Sequence, residues 1–504
     1  MAVTLLDVVR RSVRPYARAL ACCAALVGLA ALAACANTGA PERAARDARE
    51  ALTPTQPWRH APSGGDAPSR TLPHDGQVAS ISRWWQHFDD PLLATLIDEA
   101  QAGAPSVVIA LARVREAQAQ AVVAGAAVLP NLSLAGSSAR GTSAPNFAAS
   151  TQSSAVAQAQ WEVDLFSGLA QQRQAAVSRA EQSRLEWHDA RITLAAEVAQ
   201  TYVNLRSCEA LVAVLELSLA SQRKNFELTS EKARVGFEAP ANVALAEAAA
   251  ADAANRAAGQ RADCDALTLA LTTLTGRALP QLREALAPRQ AQLPQPAAAF
   301  EVDNLPAQVL AARPDVAAAE ASLVAAHADL SAADAARWPR LVFAGSIGPS
   351  WLRVGGSTVE GTSWSIVPTL SVPIFDGGRI AAGVDAASAR RDAAYATLDA
   401  RIRNAVREVE EALVRLAAAR VREADATRAA TGFRGYFEAT EQRWRLGAAS
   451  LIEMEEARRL ALNAQASLLA LQRERVAAWV SLYRAVGGGW RPDEAATAQA
   501  ARPR

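Results

Sequence analysis

PTLSVPIFDGGR, residues 368–379, decides how the chain is read. Trp364, Ile366, Pro368, Leu370, Val372 and Ile374 alternate with Ser365, Thr369 and Ser371, the period-2 pattern of a strand with one apolar and one more polar face. The pattern stops at Asp376-Gly377-Gly378, and an Ala- and Arg-rich segment follows with no proline until the C-terminal tail. A very long helix with Asp376 as its N-cap is the expectation. The same junction stands earlier: Trp161, Val163 and Leu165 alternate with Gln160, Glu162 and Asp164, and Phe166-Ser167-Gly168 opens a second long helix. Two copies of one strand-to-helix junction imply an internal duplication.

Landmarks on either side keep step with it. Pro314 follows Pro105, Pro339 follows Pro130 and Phe375 follows Phe166 at a spacing of 209; Glu408 follows Glu197, Gly447 follows Gly236 and Gly487 follows Gly276 at 211. Each half then reads as helix, two-stranded hairpin, long helix, turn and returning helix. The first repeat covers 81–290, with strands at about 131–140 and 155–166, a long helix over 168–235 and a return helix over 242–275. The second covers 291–490, with strands at about 340–350 and 363–375, a long helix over 377–446 and a return helix over 451–486; a disordered tail is expected over 491–504. A 68-residue helix is roughly 100 Å long. Leu194, Val198, Tyr202, Leu205, Cys208, Val212 and Leu215 form one apolar seam, and Leu398, Ile402, Val409, Leu413 and Leu416 its counterpart, at coiled-coil spacings. The fold class expected is therefore an elongated, mostly α, α+β chain. Four strands cannot close a barrel alone, and a strand edge in a bilayer must be paired. Three chains would supply twelve strands.

The chain has 504 residues, 52 Lys and Arg against 51 Asp and Glu, and a formal net charge of +1. That balance points to no nucleic acid or other strongly charged partner. Abundant alanine and few aromatic residues suit long helices whose backbones approach closely. Gly487-Gly488-Gly489 is followed by Trp490 and no P-loop lysine, the five histidines are scattered, and neither G-x-S-x-G nor H-E-x-x-H occurs. No enzyme activity, cofactor or metal is expected.

Arg10, Arg11, Arg14 and Arg18 precede an apolar run that ends in Leu32-Ala33-Ala34-Cys35. This is the layout of a secretory signal over 1–34, and its end resembles a bacterial lipobox with Cys35 as the lipidated first residue. Residues 35–80, rich in Pro, Gly and Ala without periodicity, read as an irregular tether.

With these features assembled, the sequence resembles the outer-membrane factor family, the TolC- and OprM-like, NodT-type efflux lipoproteins. The residues that carry the resemblance are the lipobox at Cys35, the Trp84-to-Pro91 opening, the strand starts at Pro130 and Pro339, PIFDGGR at 373–379, the two glycine turns and Leu274-Thr275-Gly276. The resemblance implies a homotrimer in the cell outer membrane, with a twelve-stranded β-barrel, four strands per chain, continuous with a periplasmic α-helical barrel. It implies a passive exit duct that meets a periplasmic adaptor (membrane fusion) protein and an inner-membrane transporter of the RND type. Two other readings stand beside it: the exit duct of a type I secretion system, and a non-conducting periplasmic coiled-coil scaffold.

Four sets of residues are candidate sites. Arg234, Val235 and Gly236, with Arg445, Leu446, Gly447 and Ser450, match the family's helix tips and are expected to meet the adaptor; a plain helix turn would use the same glycines. Phe437, Glu438 and Glu441, a few turns before Gly447, are candidates for a gate, or are solvated helix charges. Gln158, Gln160, Glu162 and Asp164 are expected on the lumenal strand face of a water-filled barrel, or are ordinary outward-facing strand polars. Cys208 and Cys264 lie symmetrically about Gly236, so an antiparallel helix pair places them at one height. In an oxidising periplasm a disulfide is expected, two buried free thiols being the alternative.

Overall fold

A computed structural model of the chain describes residues 40–54, 85, 88, 90–142, 149–295, 310 and 313–488. The signal segment, Cys35 and the tail lie outside the described residues. The elements, in order, are α1 (Ala40–Leu52), α2 (Pro91–Gly103), α3 (Pro105–Ala126), β1 (Asn131–Thr142), β2 (Ala149–Val163), α4 (Gly168–Arg234), α5 (Pro240–Thr275), α6 (Leu279–Leu286), α7 (Pro314–Ala335), β3 (Arg340–Val354), β4 (Ser357–Ser371), α8 (Arg379–Arg445) and α9 (Leu451–Ala485). They fall into two compact units, one of Met1–Leu52, Ala112–Arg184 and Ala317–Ala400, the other of Thr53–Leu111, Leu185–Val316 and Arg401–Arg504.

The first unit is built on a four-stranded antiparallel sheet of order β1-β2-β3-β4. Both halves of the duplication contribute one hairpin, and β2 against β3 joins them. Gly355 and Gly356, with φ of 57° and 89°, make the two-residue turn between β3 and β4. Glycine adopts two successive positive φ values without strain, and that turn matches the strand twist. Period-2 alternation puts Leu134, Ala157, Ile347 and Trp364 in one row across the sheet, and Ser133, Gln158, Ser346 and Ser365 in a row on the other face.

The structure revises three readings in this unit. The tether is not irregular throughout: it contains α1, whose Arg49 pairs with Glu320 at 2.8 Å, whose Glu42 accepts from Gln174 at 3.2 Å, and whose Ala45 is fully buried. Pro41 in its first turn and Pro54 just past its end masked a 13-residue amphipathic helix. The strands also end earlier than the alternation suggests. β2 stops at Val163 and β4 at Ser371, because β3 begins at Arg340, opposite Ser371, and offers no partner beyond it. Finally, Phe375 does not stand level with Phe166. Asn131 pairs with Gln160 and Arg340 with Ser371, so β1 maps onto β3 at 209 but β2 onto β4 at 211. Gly168 and Arg379, which open the long helices, keep the spacing of 211. The two extra residues are therefore in the β3–β4 hairpin, and Phe375 is level with Asp164.

The second unit has a core in which Leu93, Leu96 and Ile97 of α2 meet Leu194, Val198, Tyr202 and Leu205 of α4, Leu271 of α5, Leu282 of α6, and Val476, Trp479 and Val480 of α9. Each such side chain contributes about 1.5–3 kcal/mol by leaving water. Asp90 caps α2, accepting from Leu92 and Leu93 N–H at 3.1 and 3.4 Å. Its other oxygen accepts from the Tyr202 hydroxyl at 2.7 Å, and Tyr202 in turn accepts from Arg206 Nε at 3.0 Å. Burial pushes the Tyr202 phenol well above its ordinary range, so it stays a donor to Asp90. The seam on α4 is buried from Leu194 to Cys208, then moves to Val214 and Leu219 while Val212 and Leu215 are half-exposed. An ideal helix drifts against a seven-residue repeat, and the seam follows the drift.

No single described helix is long and apolar enough to cross a membrane. The surface suited to lipid is on the strands.

Candidate functional site

The apolar face of the sheet is a band. From Thr362 to Leu370 its β4 residues are Trp364, Ile366, Pro368 and Leu370, all exposed in the single chain. Nine residues of strand span roughly 25–30 Å, close to the height of the apolar belt of an outer-membrane barrel. The opposite face is small and polar, with Ser137 against Ser154 and Ser346 against Ser365, each hydroxyl pair at 2.9 Å. Gln158 and Gln160 lie on this face. Glu162 is on it too, but accepts from Arg340 Nε at 3.0 Å, so its charge is compensated. Asp164 is past the strand. Its carboxylate accepts from Ala170 N–H at 2.7 Å and fastens the first turn of α4. Asp376 does this for α8, accepting from Gly378 and Ile380 N–H at 3.0 and 2.7 Å. Those backbone donors, Ile380 first, hold its carboxyl below the usual range.

The long helices end alike. Phe237 N–H donates to Lys232 O at 2.9 Å and Gly236 N–H to Ala233 O at 3.0 Å; Ala448 N–H donates to Arg443 O at 2.7 Å and Gly447 N–H to Trp444 O at 2.9 Å. This crossed pair is the Schellman end, and it needs the left-handed glycine found at both places, φ 82° and 74°. Around the turns Val235, Phe237 and Leu446 point into solvent, Phe237 and Leu446 being 84% and 85% exposed. Arg234 pairs with Glu231 and Arg445 with Glu441, the latter at 3.2 Å. Ser450 acts locally. Its hydroxyl accepts from Glu453 N–H at 3.1 Å, and Glu453 accepts from Ser450 N–H at 2.7 Å, a complete capping box on α9.

Further up the same shafts a charged network joins three helices. Glu455 of α9 is buried and accepts from the Ser221 hydroxyl of α4 at 2.6 Å. Arg458 of α9 bonds Ser221, lies 3.3 Å from Glu455 and 3.7 Å from Glu441 of α8, and sits over the Phe437 ring at 4.9 Å. Glu438 lines an adjoining recess of about 580 Å³ with Lys224 and Arg434. The structure thus brings Phe437 and Glu441 together on one cation, and leaves Glu438 at the edge of the recess.

A family model described as outer membrane efflux protein matches residues 96–277 and 305–488, the two repeats. The chain belongs to the outer membrane efflux protein family. Among its relatives are the pyoverdine export outer membrane protein OpmQ of Pseudomonas putida, 28% identical over 454 residues (88% of this chain, 95% of the relative), and outer membrane protein OprJ of Pseudomonas aeruginosa, 29% identical over 453 residues (87% and 93%). Of the solved structures, the outer-membrane channel OprN superposes with a TM-score of 0.75 at 26% identity, covering 86% of this chain and all of that one. The Campylobacter jejuni CmeC outer membrane channel shares the fold, with a TM-score of 0.76 at 21% identity over 89% of this chain and 97% of that one.

This member of the outer membrane efflux protein family is therefore an outer-membrane efflux channel, with its helical part in the periplasm. Three copies of the four-stranded sheet make the twelve-stranded barrel. Cys208 and Cys264, in the shaft of the first helical hairpin, are joined by a disulfide with Cα atoms 5.7 Å apart. Sequence reasoning missed Ser221, Glu455 and Arg458. One signal was available for Arg458: it lies eight residues past the turn at 447–450 and Glu441 six before it, so an antiparallel pair puts them at nearly the same height.

Proposed function

We propose that this channel is the exit duct of a tripartite efflux assembly. An inner-membrane transporter of the RND type supplies the energy, a periplasmic adaptor bridges to the helix tips, and Cys35 carries a lipid that anchors the chain beside its barrel. Conduction through the duct is passive, and the small-molecule export named for the pyoverdine relatives supports efflux over protein secretion.

The observation that carries this reading is the pair of tips. Both repeats end their long helices in the same glycine turn, with Val235, Phe237 and Leu446 bare. Apolar side chains held out by a rigid turn are suited to a partner's helical ends. Arg234, Val235, Gly236, Arg445, Leu446 and Gly447 form the contact; Ser450 shapes it by capping α9. Phe437, Glu438 and Glu441 form the gate region, with Arg458 as the cation that holds Phe437 and Glu441 in the closed arrangement.

Arg445→Glu tests the docking. Crosslinking of the tips to the adaptor should fall several-fold while the heat-resistant trimer persists. Unchanged crosslinking together with unchanged efflux would remove the tips from the interface.

A further inference from the structure

The sheet has two open edges, β1 and β4, each hydrogen-bonded on one side only. In the trimer these edges meet. At the periplasmic end of β4 the single chain leaves the strand unfinished. Val372, Ile374 and Phe375 follow the last paired residue, Ser371, and stand in the open, Ile374 and Phe375 being 95% and 93% exposed. At the start of β1, Leu132 and Leu134 are also exposed.

The duplication supplies the missing geometry. Within one chain the end of the first hairpin meets the start of the second along β2 and β3: Val163 is opposite Leu341, Trp161 opposite Phe343 and Ala159 opposite Gly345. Trp161 and Phe343 stack at 6.5 Å. Between copies, the end of the second hairpin must meet the start of the first in the same way. β2 maps onto β4 at 211 and β3 maps back onto β1 at 209. We infer that β4 pairs with β1 of a second copy in the register that sets Ile374 opposite Leu132, Val372 opposite Leu134 and Leu370 opposite Gly136, and that this partner extends β4 by three residues, through Ile374.

Side-chain size follows the mapping. Gly136 and Gly345 are equivalent, and each receives a larger residue, Ala159 inside the chain and Leu370 at the seam. The prolines agree as well. Pro368 lies within β4, opposite Phe343. A proline in a paired strand turns its nitrogen away from the partner, so Pro368 faces the seam. Backbone donors alternate sides along a strand, so Leu370, Val372 and Ile374 also present their N–H groups to the seam. Pro373 turns the other way, toward the side where β3 has already ended. It therefore removes no seam bond and bars β4 from continuing along β3. An unpaired backbone group shielded from water is costly, and the extension satisfies two donors, those of Val372 and Ile374, which the single chain leaves open.

Paired cysteines in the full-length trimer read the register directly. Val372→Cys with Leu134→Cys should give disulfide-linked dimers and trimers on non-reducing gels, at least fivefold more than Val372→Cys with Leu132→Cys or with Gly136→Cys. Ile374→Cys with Leu132→Cys should link comparably. Single-cysteine chains set the background, and the native disulfide lies within one chain. Strongest linking at either shifted pair overturns the register while the trimer stands. A register that holds at 372 but gives no link at 374 overturns the extension. Absence of links in every pair overturns the proposal, and the size of the detergent-solubilised particle then tells whether the trimer itself has failed.

Discussion

The two helical hairpins are copies of one another, yet they are held together differently. In the first, α4 against α5, the shaft carries the Cys208–Cys264 disulfide, and Ala246, Ala250, Ala253 and Ala257 are buried along α5. In the second, α8 against α9, the equivalent positions at 211 are Ala419 and Arg475. There ion pairs alone bridge the helices, Arg475 with Glu423 at 2.6 Å, Arg422 with Glu474 at 3.0 Å and the Arg458 network, whereas the first hairpin adds its disulfide to one such pair, Arg261 with Glu216 at 2.7 Å. A covalent staple holds at any salt concentration, whereas ion pairs near the surface contribute about 1 kcal/mol or less each and are screened, the buried Glu455–Arg458 pair being the stronger one. One hairpin is stapled covalently, and its copy is held by packing and charge. The gate candidates are on the second.

The largest test of this contrast removes the staple. Closing a 56-residue loop is worth about 4 kcal/mol in the chain-entropy account. In Cys208→Ala/Cys264→Ala, amide exchange along the middle of α4 and α5 should quicken by up to about a thousandfold, while α8 and α9 change little. Equal loosening of both hairpins would mean that they are one mechanical body, and the contrast would fall.

Next comes Arg458→Ala, which takes the cation from Glu455, a carboxylate only 8% exposed. Breaking a buried pair costs 3–5 kcal/mol; Arg458 is partly exposed, so about 2 kcal/mol is expected. The loss should appear as faster exchange in α9 near Met454 and as greater conductance of the isolated trimer in planar bilayers. Arg458→Lys, which keeps charge but not the fork that reaches Ser221 and Glu441, should fall between. If Arg458→Ala conducts like the parent, the network is a structural fastening and no gate.

Much of this is legible in the residues alone. Alternation over 364–374, the two junctions and the paired prolines identify the strands, and the glycines at 236 and 447 locate the tips, because a left-handed residue after a long helix has few substitutes. The mirror arithmetic that sets Cys208 beside Cys264 rests only on antiparallel helices meeting at a turn. Applied to charges about Gly447 it places Glu423 and Glu441 only to within four or five residues of the heights of Arg475 and Arg458. What sequence could not give was pairing that depends on a partner's length. β4 reads as a strand through Ile374, and only the start of β3 at Arg340 determines that the single chain stops it at Ser371. Burial of Glu455 was equally hidden, since nothing local distinguishes it from Glu456, which pairs with Arg459 on the surface. And α1, with Pro41 in its first turn and Pro54 just beyond it, lacked the length for its period to stand out.

The smallest effect separates tips from shafts by acid. Glu453 is held below its ordinary 4.5, first by the Ser450 N–H it accepts from and then by the Ser450 side chain. Glu238, at the other tip, is lowered first by Asn242 and then by Ala239 N–H. A carboxylate depressed in the folded state adds stability that is fully present above its unfolded value, and loses it as pH falls from 4.5 through the depressed one. Both caps should therefore loosen in that window, seen as faster exchange at Glu453 and at Ala239 after correction for the intrinsic rate. Unchanged exchange at both positions across that window would show that helix packing, and not these carboxylates, holds the two turns.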